Sequence, residues 1–162
     1  MAPKTTRATQ ALDKAGIRFT LHAYDYDPDA PRIGLQAAEA LGVPPSRVLK
    51  TLMASVDGRT VCLLIASDRE AAMKRVAAAF GGKSAAMMKP ADAERLTGYH
   101  VGGISPLGQK RPVPTALDAH ALTDPDAEIH INGGGRGLQI RLREGDLVAA
   151  LKPTVVPLTE PR

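Results

Sequence analysis

The sequence predicts an α+β domain, a mostly antiparallel mixed sheet with helices around it, and three observations lead there. Between residues 48 and 66 an Asp57-Gly58 pair separates two apolar segments, the mark of a two-residue hairpin turn, because both residue types tolerate positive φ. Three further strand-like segments crowd into residues 113–142. Helical segments are scattered among these strands without the regular alternation of a parallel α/β fold.

The elements follow in chain order. From Thr5 to Ala15, Ala8, Ala11, Leu12 and Ala15 recur at helical spacing, threonines stand at the start as caps, and Gly16 stops the run. Arg18 to Tyr24 alternates apolar Phe19, Leu21 and Ala23 with polar neighbours, so a half-buried strand is expected. Asp25 to Pro31 reads as a loop, and a second helix near Leu35 to Leu41 ends at Gly42, before Pro44-Pro45. The second hairpin strand, Thr60 to Ala66, is apolar on both faces and belongs in the middle of a sheet.

Ser67-Asp68-Arg69-Glu70 has the form of a capping box, which predicts a helix carrying Ala72, Met73, Val76, Ala79 and Phe80 and ending at Gly81-Gly82. Pro90 opens a further short helix that Gly98 closes, and residues 99–108 are glycine-rich and irregular. Strands are expected over Val113–Leu117, Glu128–Asn132 and Gly137–Leu142, then a helix over Glu144–Leu151 before Pro153.

A chain of 162 residues fits one domain, 1–162, since a domain takes roughly 100–200 residues. Hydrophobic residues make up 44%, yet only Phe19, Tyr24, Tyr26, Phe80 and Tyr99 are aromatic, so aliphatic side chains must build the core. The net charge of +4 biases the surface mildly towards anions. The longest apolar run, Val61–Ala66, is far short of the roughly 20 residues that span a bilayer. The basic start has no apolar stretch after it, so a soluble, cytoplasmic protein is expected. Cys62 lies inside that apolar run and reads as a buried hydrophobe rather than a nucleophile.

Three features stand out as candidates for chemistry. Strand alternation puts Lys50 on the same face as Val48, Leu52, Ala54 and Val56, so its ammonium either points into a cleft or snorkels past the strand edge. Residues 101–111 hold three glycines and a proline ahead of Lys110-Arg111; this is either a tight connection or a loop that lets a ligand approach main-chain N–H groups. Residues 132–137 join two strands through glycines, and Arg136 there reads first as a solvated loop charge. Tyr24, at the end of the first strand, either closes a pocket or packs with its hydroxyl at the surface. The four histidines lack metal-ligand spacing, and no Gly-x-Ser-x-Gly elbow occurs, so an enzyme built on this chain would act by positioning.

Taken together, Tyr24 with Asp27-Pro28, the string Val48-Leu49-Lys50-Thr51-Leu52, the run from Gly98 to Gln109 with its Gly-Gly-Ile-Ser-Pro-Leu-Gly-Gln, and Gly133 to Leu138 strongly resemble the YbaK/EbsC family. These are small editing proteins related to the insertion domain of bacterial prolyl-tRNA synthetase, and the likeness runs collinearly over nearly the whole chain. The resemblance implies clearance of mischarged tRNA in trans, Cys-tRNA(Pro) foremost and Cys-tRNA(Cys) besides, without metal or organic cofactor. It implies the 3′ acceptor end of an aminoacylated tRNA as partner, with prolyl-tRNA synthetase as a second.

By the same likeness, Lys50 with Gly102 and Gly103 would carry the catalysis. Tyr24, Thr51, Ile104, Ser105, Pro106, Asn132 and Gln139 would bind substrate. Asn132 stands where the well-known branch has serine, and Gln139 where it has aspartate, which leaves room for a sister activity that removes alanine from tRNA(Pro) with water. A non-catalytic tRNA- or synthetase-binding module is the reading from another class, and a general single-stranded RNA reader fits poorly with so few aromatics.

Overall fold

The structure is a computed structural model that describes residues 5–30 and 33–161. Among the described residues five α-helices, α1 (Arg7–Lys14), α2 (Ile33–Leu41), α3 (Met73–Ala79), α4 (Pro90–Thr97) and α5 (Glu144–Leu151), surround ten strands. The strands are β1 (Thr20–Ala23), β2 (Leu49–Val56), β3 (Arg59–Ala66), β4 (Arg69–Ala71), β5 (Ala85–Met87), β6 (Thr115–Asp118), β7 (Glu128–Asn132), β8 (Leu138–Arg143), β9 (Thr154–Val156) and β10 (Thr159–Pro161). They form a five-stranded sheet in the order β5-β2-β3-β6-β9, a three-stranded sheet β1-β8-β7 and a two-stranded β10-β4 ribbon. Most pairings are antiparallel, as expected, while β6 runs parallel to both β3 and β9.

Local chemistry explains the elements that match the sequence expectations. Thr6 caps α1 by accepting from the Thr9 N–H, and the Thr9 hydroxyl closes the box from the other side. Asp57 and Gly58 both take positive φ, 49° and 82°, which turns the β2–β3 hairpin with the twist its strands need. β3 is central, as its two apolar faces predict, and Cys62 within it is fully buried. Gly98 ends α4 in the left-handed region. Pro31, the last residue of the expected loop, lies outside the described residues.

One expectation is overturned. Ser67 does not cap a helix: its N–H and its hydroxyl both donate to the Val48 carbonyl, at 2.9 and 2.6 Å. Residues 69–71 instead form β4 against β10, and α3 begins at Met73 with no side-chain cap. The short β5, β9 and β10 carry too few residues to show a period and were not anticipated. In β1, Leu21 is half-buried as expected, but Ala23 is exposed.

Two apolar clusters hold the sheets. Leu49, Leu64 and Ala66 pack with Ile129, Ile131, Ile140 and Leu142 under α1 and α5, while Ala54, Val61, Leu63 and Ile65 pack beneath α3 on the opposite face. Burying side chains of this size contributes roughly 1.5–3 kcal/mol each, so this double layer dominates stability. Arg47 anchors the lead into β2. Its guanidinium donates to the Glu128 carbonyl at 2.9 Å and pairs with the buried Glu144 carboxylate. Burial alone would raise the Glu144 pKa, but the hydrogen bonds from Arg47 and Thr123 hold it below the ordinary value.

Candidate active site

The site follows from the way β2 is shared between two neighbours. On one edge it pairs with β3 throughout; on the other, β5 covers residues 54–56, and Val48 makes a parallel bridge to His130 of β7. The Ser67 N–H to Val48 C=O bond fixes the hydrogen-bonding phase, so the main-chain groups of Lys50 point to β3 and those of Thr51 to the other edge. Between β7 and β5 that edge is open. Thr51 therefore turns its N–H and C=O to a notch.

Side-chain faces follow from the same register. Bridged partners share a face, so Val48 and His130 lie on one side of the sheet, and Lys50, two residues on, lies with them. Continued in parallel, Lys50 comes opposite Asn132. Asn132 pairs with Gln139, and Gln139 with His22, so Lys50, Asn132, Gln139 and His22 form one row across four strands. Tyr24, whose N–H donates to the Gly137 carbonyl at 2.9 Å, is on the same side and packs with Ala37, Ala38 and Val48. Lys50 is half-buried between that patch under α2 and the Leu52–Ala54 patch under α3. The lysine thus sits at a seam between two covered regions.

The glycine loop reaches this face at one end only. The Asn132 amide donates to the Gly102 carbonyl at 3.1 Å, and its oxygen accepts from the Gly134 N–H at 2.7 Å. Gly103 lies against the second glycine loop so closely that a Cβ there would come within 2.9 Å of the Arg136 nitrogen and the Gly135 carbonyl carbon. Gly102 has φ +92° and abuts the Tyr26 hydroxyl. Both positions require glycine. Beyond them the loop turns inward: Ile104 packs with Met53 and Cys62, Ser105 is fully buried and its hydroxyl accepts from the Leu107 N–H, and Pro106 is buried.

Thr51 points away from the lysine face, between Leu49 and Met53, and its hydroxyl is buried without a partner among the described residues. The structure thus brings Lys50, Tyr24, Gly102, Gly103, Asn132 and Gln139 to one face. Thr51, Ile104, Ser105 and Pro106 lie behind it and support the loop.

Two further sets of residues join the site, and of these Glu94, Tyr26, His22 and His130 were not singled out in the sequence as candidates for it. Val101 is held from both sides: its N–H donates to Glu94 at 2.8 Å, and its carbonyl accepts from Arg136 Nε at 2.9 Å. The Arg136 guanidinium also lies 5.5 Å from the centre of the Tyr26 ring. The hydrogen bond from Val101, then His100 and Arg136, keep the Glu94 carboxyl below its usual range. The second set is His22 and His130, edge to face at 5.6 Å, whose signal was the polar alternation of His130 and Asn132 between buried Ile129 and Ile131. Burial, then His22 and Arg141, push the His130 imidazole down to about 4. His130 Nδ1 and Gln139 Oε1 are buried without partners among the described residues. Burial, with Tyr26 beside it, raises the Tyr24 phenol above its ordinary value.

Chemically, this face offers Lys50 and, paired with Glu128, Arg141 as cations, the amides of Asn132 and Gln139, and a tightly set main-chain loop. The N–H groups of Gly102 and Ile104 have no acceptor among the described residues. Cys62 is no nucleophile, since burial first, against weaker help from Gln109 and Thr115, pushes its thiol up to about 12. Among the described residues, no three His, Cys, Asp or Glu side chains are grouped to hold a metal ion, and no helix is long and apolar enough to cross a membrane.

Fold and site together define an α+β domain in which a strand lysine shares a sheet face with an asparagine that holds two glycine loops, and comparison with known proteins gives that class its name. The chain belongs to the aminoacyl-tRNA editing domain family, whose sequence profile matches residues 27–149. It is 38% identical over 107 residues to EbsC of Enterococcus faecalis, provisionally named a Cys-tRNA(Pro)/Cys-tRNA(Cys) deacylase; the match covers 65% of this chain and 63% of that one. It is 29% identical over 121 residues to a proline–tRNA ligase of Acidithiobacillus ferrooxidans, covering 75% of this chain and 21% of the ligase. The chain thus spans less than two thirds of the length of either relative. A crystal structure provisionally described as a trans-editing enzyme for prolyl-tRNA synthetase superposes with TM-score 0.79 over 95% of both chains, at 24% identity. Another, of the hypothetical protein APE2540, gives 0.80 at 22% identity over 96% of this chain and 100% of that one. At these identities the structural likeness shows the fold.

Proposed function

We propose that this chain cleaves the ester of mischarged aminoacyl-tRNA in trans, with Cys-tRNA(Pro) as its principal substrate. The observation that carries this is the row Lys50–Asn132–Gln139, in which Asn132 holds two glycine loops, in a domain of the editing family. Lys50 holds the phosphate or terminal ribose of the acceptor end. Tyr24 and α2 close one side of the aminoacyl pocket.

Among the described residues no activated nucleophile lies on this face, which fits a substrate that brings its own. The cysteinyl thiol, with an ordinary pKa around 8.5, gives up its proton and attacks the ester carbonyl. The tetrahedral oxyanion that forms is met by the loop N–H groups, worth roughly 3–4 kcal/mol for one well-placed donor. The intermediate collapses by breaking the bond to the ribose oxygen, which takes up the proton. The products are a cysteine thiolactone and free tRNA. Holding thiol and carbonyl in contact is the main work of the site.

A second reading rests on Gln139, which places a neutral amide in the Lys50 row where an aspartate would pair with the lysine, and makes water the nucleophile. That water would attack Ala-tRNA(Pro) and release alanine. The test offers purified protein Cys-, Ala- and Pro-tRNA(Pro) and identifies the released product by mass spectrometry. Thiolactone from Cys-tRNA(Pro) supports the first reading, preferential release of alanine supports the second, and persistence of every ester rejects both.

A further inference from the structure

Four cations lead away from the site along a continuous set of contacts. Arg136 stands at the mouth, clamping Val101. Behind it, Gly134 packs on Tyr99 and on Thr6, whose hydroxyl donates to the Gly133 carbonyl at 2.5 Å. Thr6 is followed by Arg7. The Arg7 guanidinium and the Lys110 Cβ both lie within 3.4 Å of the point where a Cβ on Gly98 would stand, so the two side chains are neighbours. Lys110 and Arg111 are tied to the end of α4 by their N–H groups, which donate to Thr97 and Leu96 carbonyls at 2.8 and 3.2 Å. There they line a pocket of about 330 Å³ with Met88, Asp92, Arg95 and Leu96.

What sets these side chains apart is that they lie along one set of contacts leading from the site; being unpaired they share with Arg18, Arg59 and Arg143 among the described residues. Arg47, Arg69, Arg75 and Arg141 each lie within 4 Å of a carboxylate, and so does Arg95, at 3.6 Å from Asp92. Arg7, Lys110, Arg111 and Arg136 are exposed and have no such carboxylate among the described residues. Exposed cations in file, none within 4 Å of a carboxylate among the described residues, suit a ligand with regularly spaced negative charges.

We propose that Arg136, Arg7, Lys110 and Arg111 form a track for the sugar-phosphate backbone of the tRNA acceptor stem, running outward from the aminoacyl cleft at Lys50. The proposal rests on the tRNA deacylase reading and adds where the body of the tRNA lies. Contacts of this kind fix register without reading sequence. They also place the acceptor stem beside α4 and the start of α1 rather than beside α3.

The test measures filter binding of uncharged tRNA as a function of salt for wild type, for Lys110→Gln/Arg111→Gln and for Arg7→Gln/Lys110→Gln/Arg111→Gln. Lys74→Gln/Lys83→Gln, on the α3 side, serves as control. Each track cation removed should lower the slope of log affinity against log salt by about 1, and the double variant should bind at least about tenfold more weakly at low salt. The control should match wild type. In deacylation, the double variant should raise KM for full-length tRNA while leaving cleavage of an aminoacylated CCA trinucleotide unchanged.

Track variants that bind tRNA with wild-type affinity and salt slope overturn the proposal. So does loss of prolyl-tRNA synthetase capture with tRNA binding intact, which would assign the surface to a protein. Binding and deacylation are separate readouts: normal track behaviour with no ester cleavage would reject the deacylase reading and leave the surface standing.

Discussion

His130 makes the stability of this domain depend on pH in a calculable way. Its imidazole is buried beside His22 and Arg141, with Glu128 and the Arg47 main chain as the opposing influences, and the net effect lowers its pKa from 6.5 to about 4. Between those values the unfolded chain binds a proton that the folded chain excludes. Stability therefore rises with pH across this window and falls as the solution is acidified below 6.5. Integrating the two titrations from pH 7 to pH 5 gives a loss of about 2 kcal/mol from this residue. Asp118 and Glu144, whose folded pKa values are depressed, contribute stability that disappears only at lower pH, as it falls through their folded values.

The assay is urea unfolding of wild type and His130→Gln at pH 7 and pH 5, followed by circular dichroism. Wild type should lose about 2 kcal/mol more than the variant over that interval. An equal loss in both proteins would show that His130 keeps its proton affinity on folding and would refute the reasoning.

Two further outcomes follow from the site. Gly103→Ala must move the main chain of Gly135 and Arg136, since its Cβ would lie 2.9 Å from both; deacylation should fall at least about a hundredfold with unfolding midpoint lowered by no more than a few degrees, as measured by single-turnover kinetics and thermal melting. Cys62 should resist a thiol-specific chromogenic reagent at pH 8 in the folded state and react fully in urea, and Cys62→Ala should keep wild-type kcat/KM because the reacting thiol belongs to the substrate.

Much of this fold was legible because its signals were local. Asp57-Gly58, the Thr6–Thr9 cap and Gly98 each act within a few residues of themselves, and the structure has them where the sequence put them. The capping box at Ser67 failed for the opposite reason. Its hydroxyl was claimed by the Val48 carbonyl nineteen residues earlier, and residues 69–71 found a strand partner near the other end of the chain. The parallel pairing of β6 with β3 and β9 is likewise set by tertiary contact and leaves no local mark.

The site divides in the same way. Parity along β2 was enough to place Lys50 on a face with Val48. That Asn132, Gln139 and His22 complete its row depends on the single Val48–His130 bridge, which no local pattern encodes. Arg136 read as a loop charge because its partner, the Val101 carbonyl, lies thirty-five residues away. Glu94 sits on an ordinary helix turn, and nothing in its neighbours announces that it accepts from the N–H of the residue whose carbonyl Arg136 holds.

The central claim is that ester cleavage takes place on the Lys50 face. Single-turnover deacylation of Cys-tRNA(Pro) by wild type and by Lys50→Ala, with thermal melting to confirm folding, tests it most directly. The account predicts a folded variant whose cleavage rate has dropped at least about a hundredfold, as expected for loss of one charged transition-state or acceptor-end contact. A folded Lys50→Ala that cleaves at the wild-type rate would contradict it.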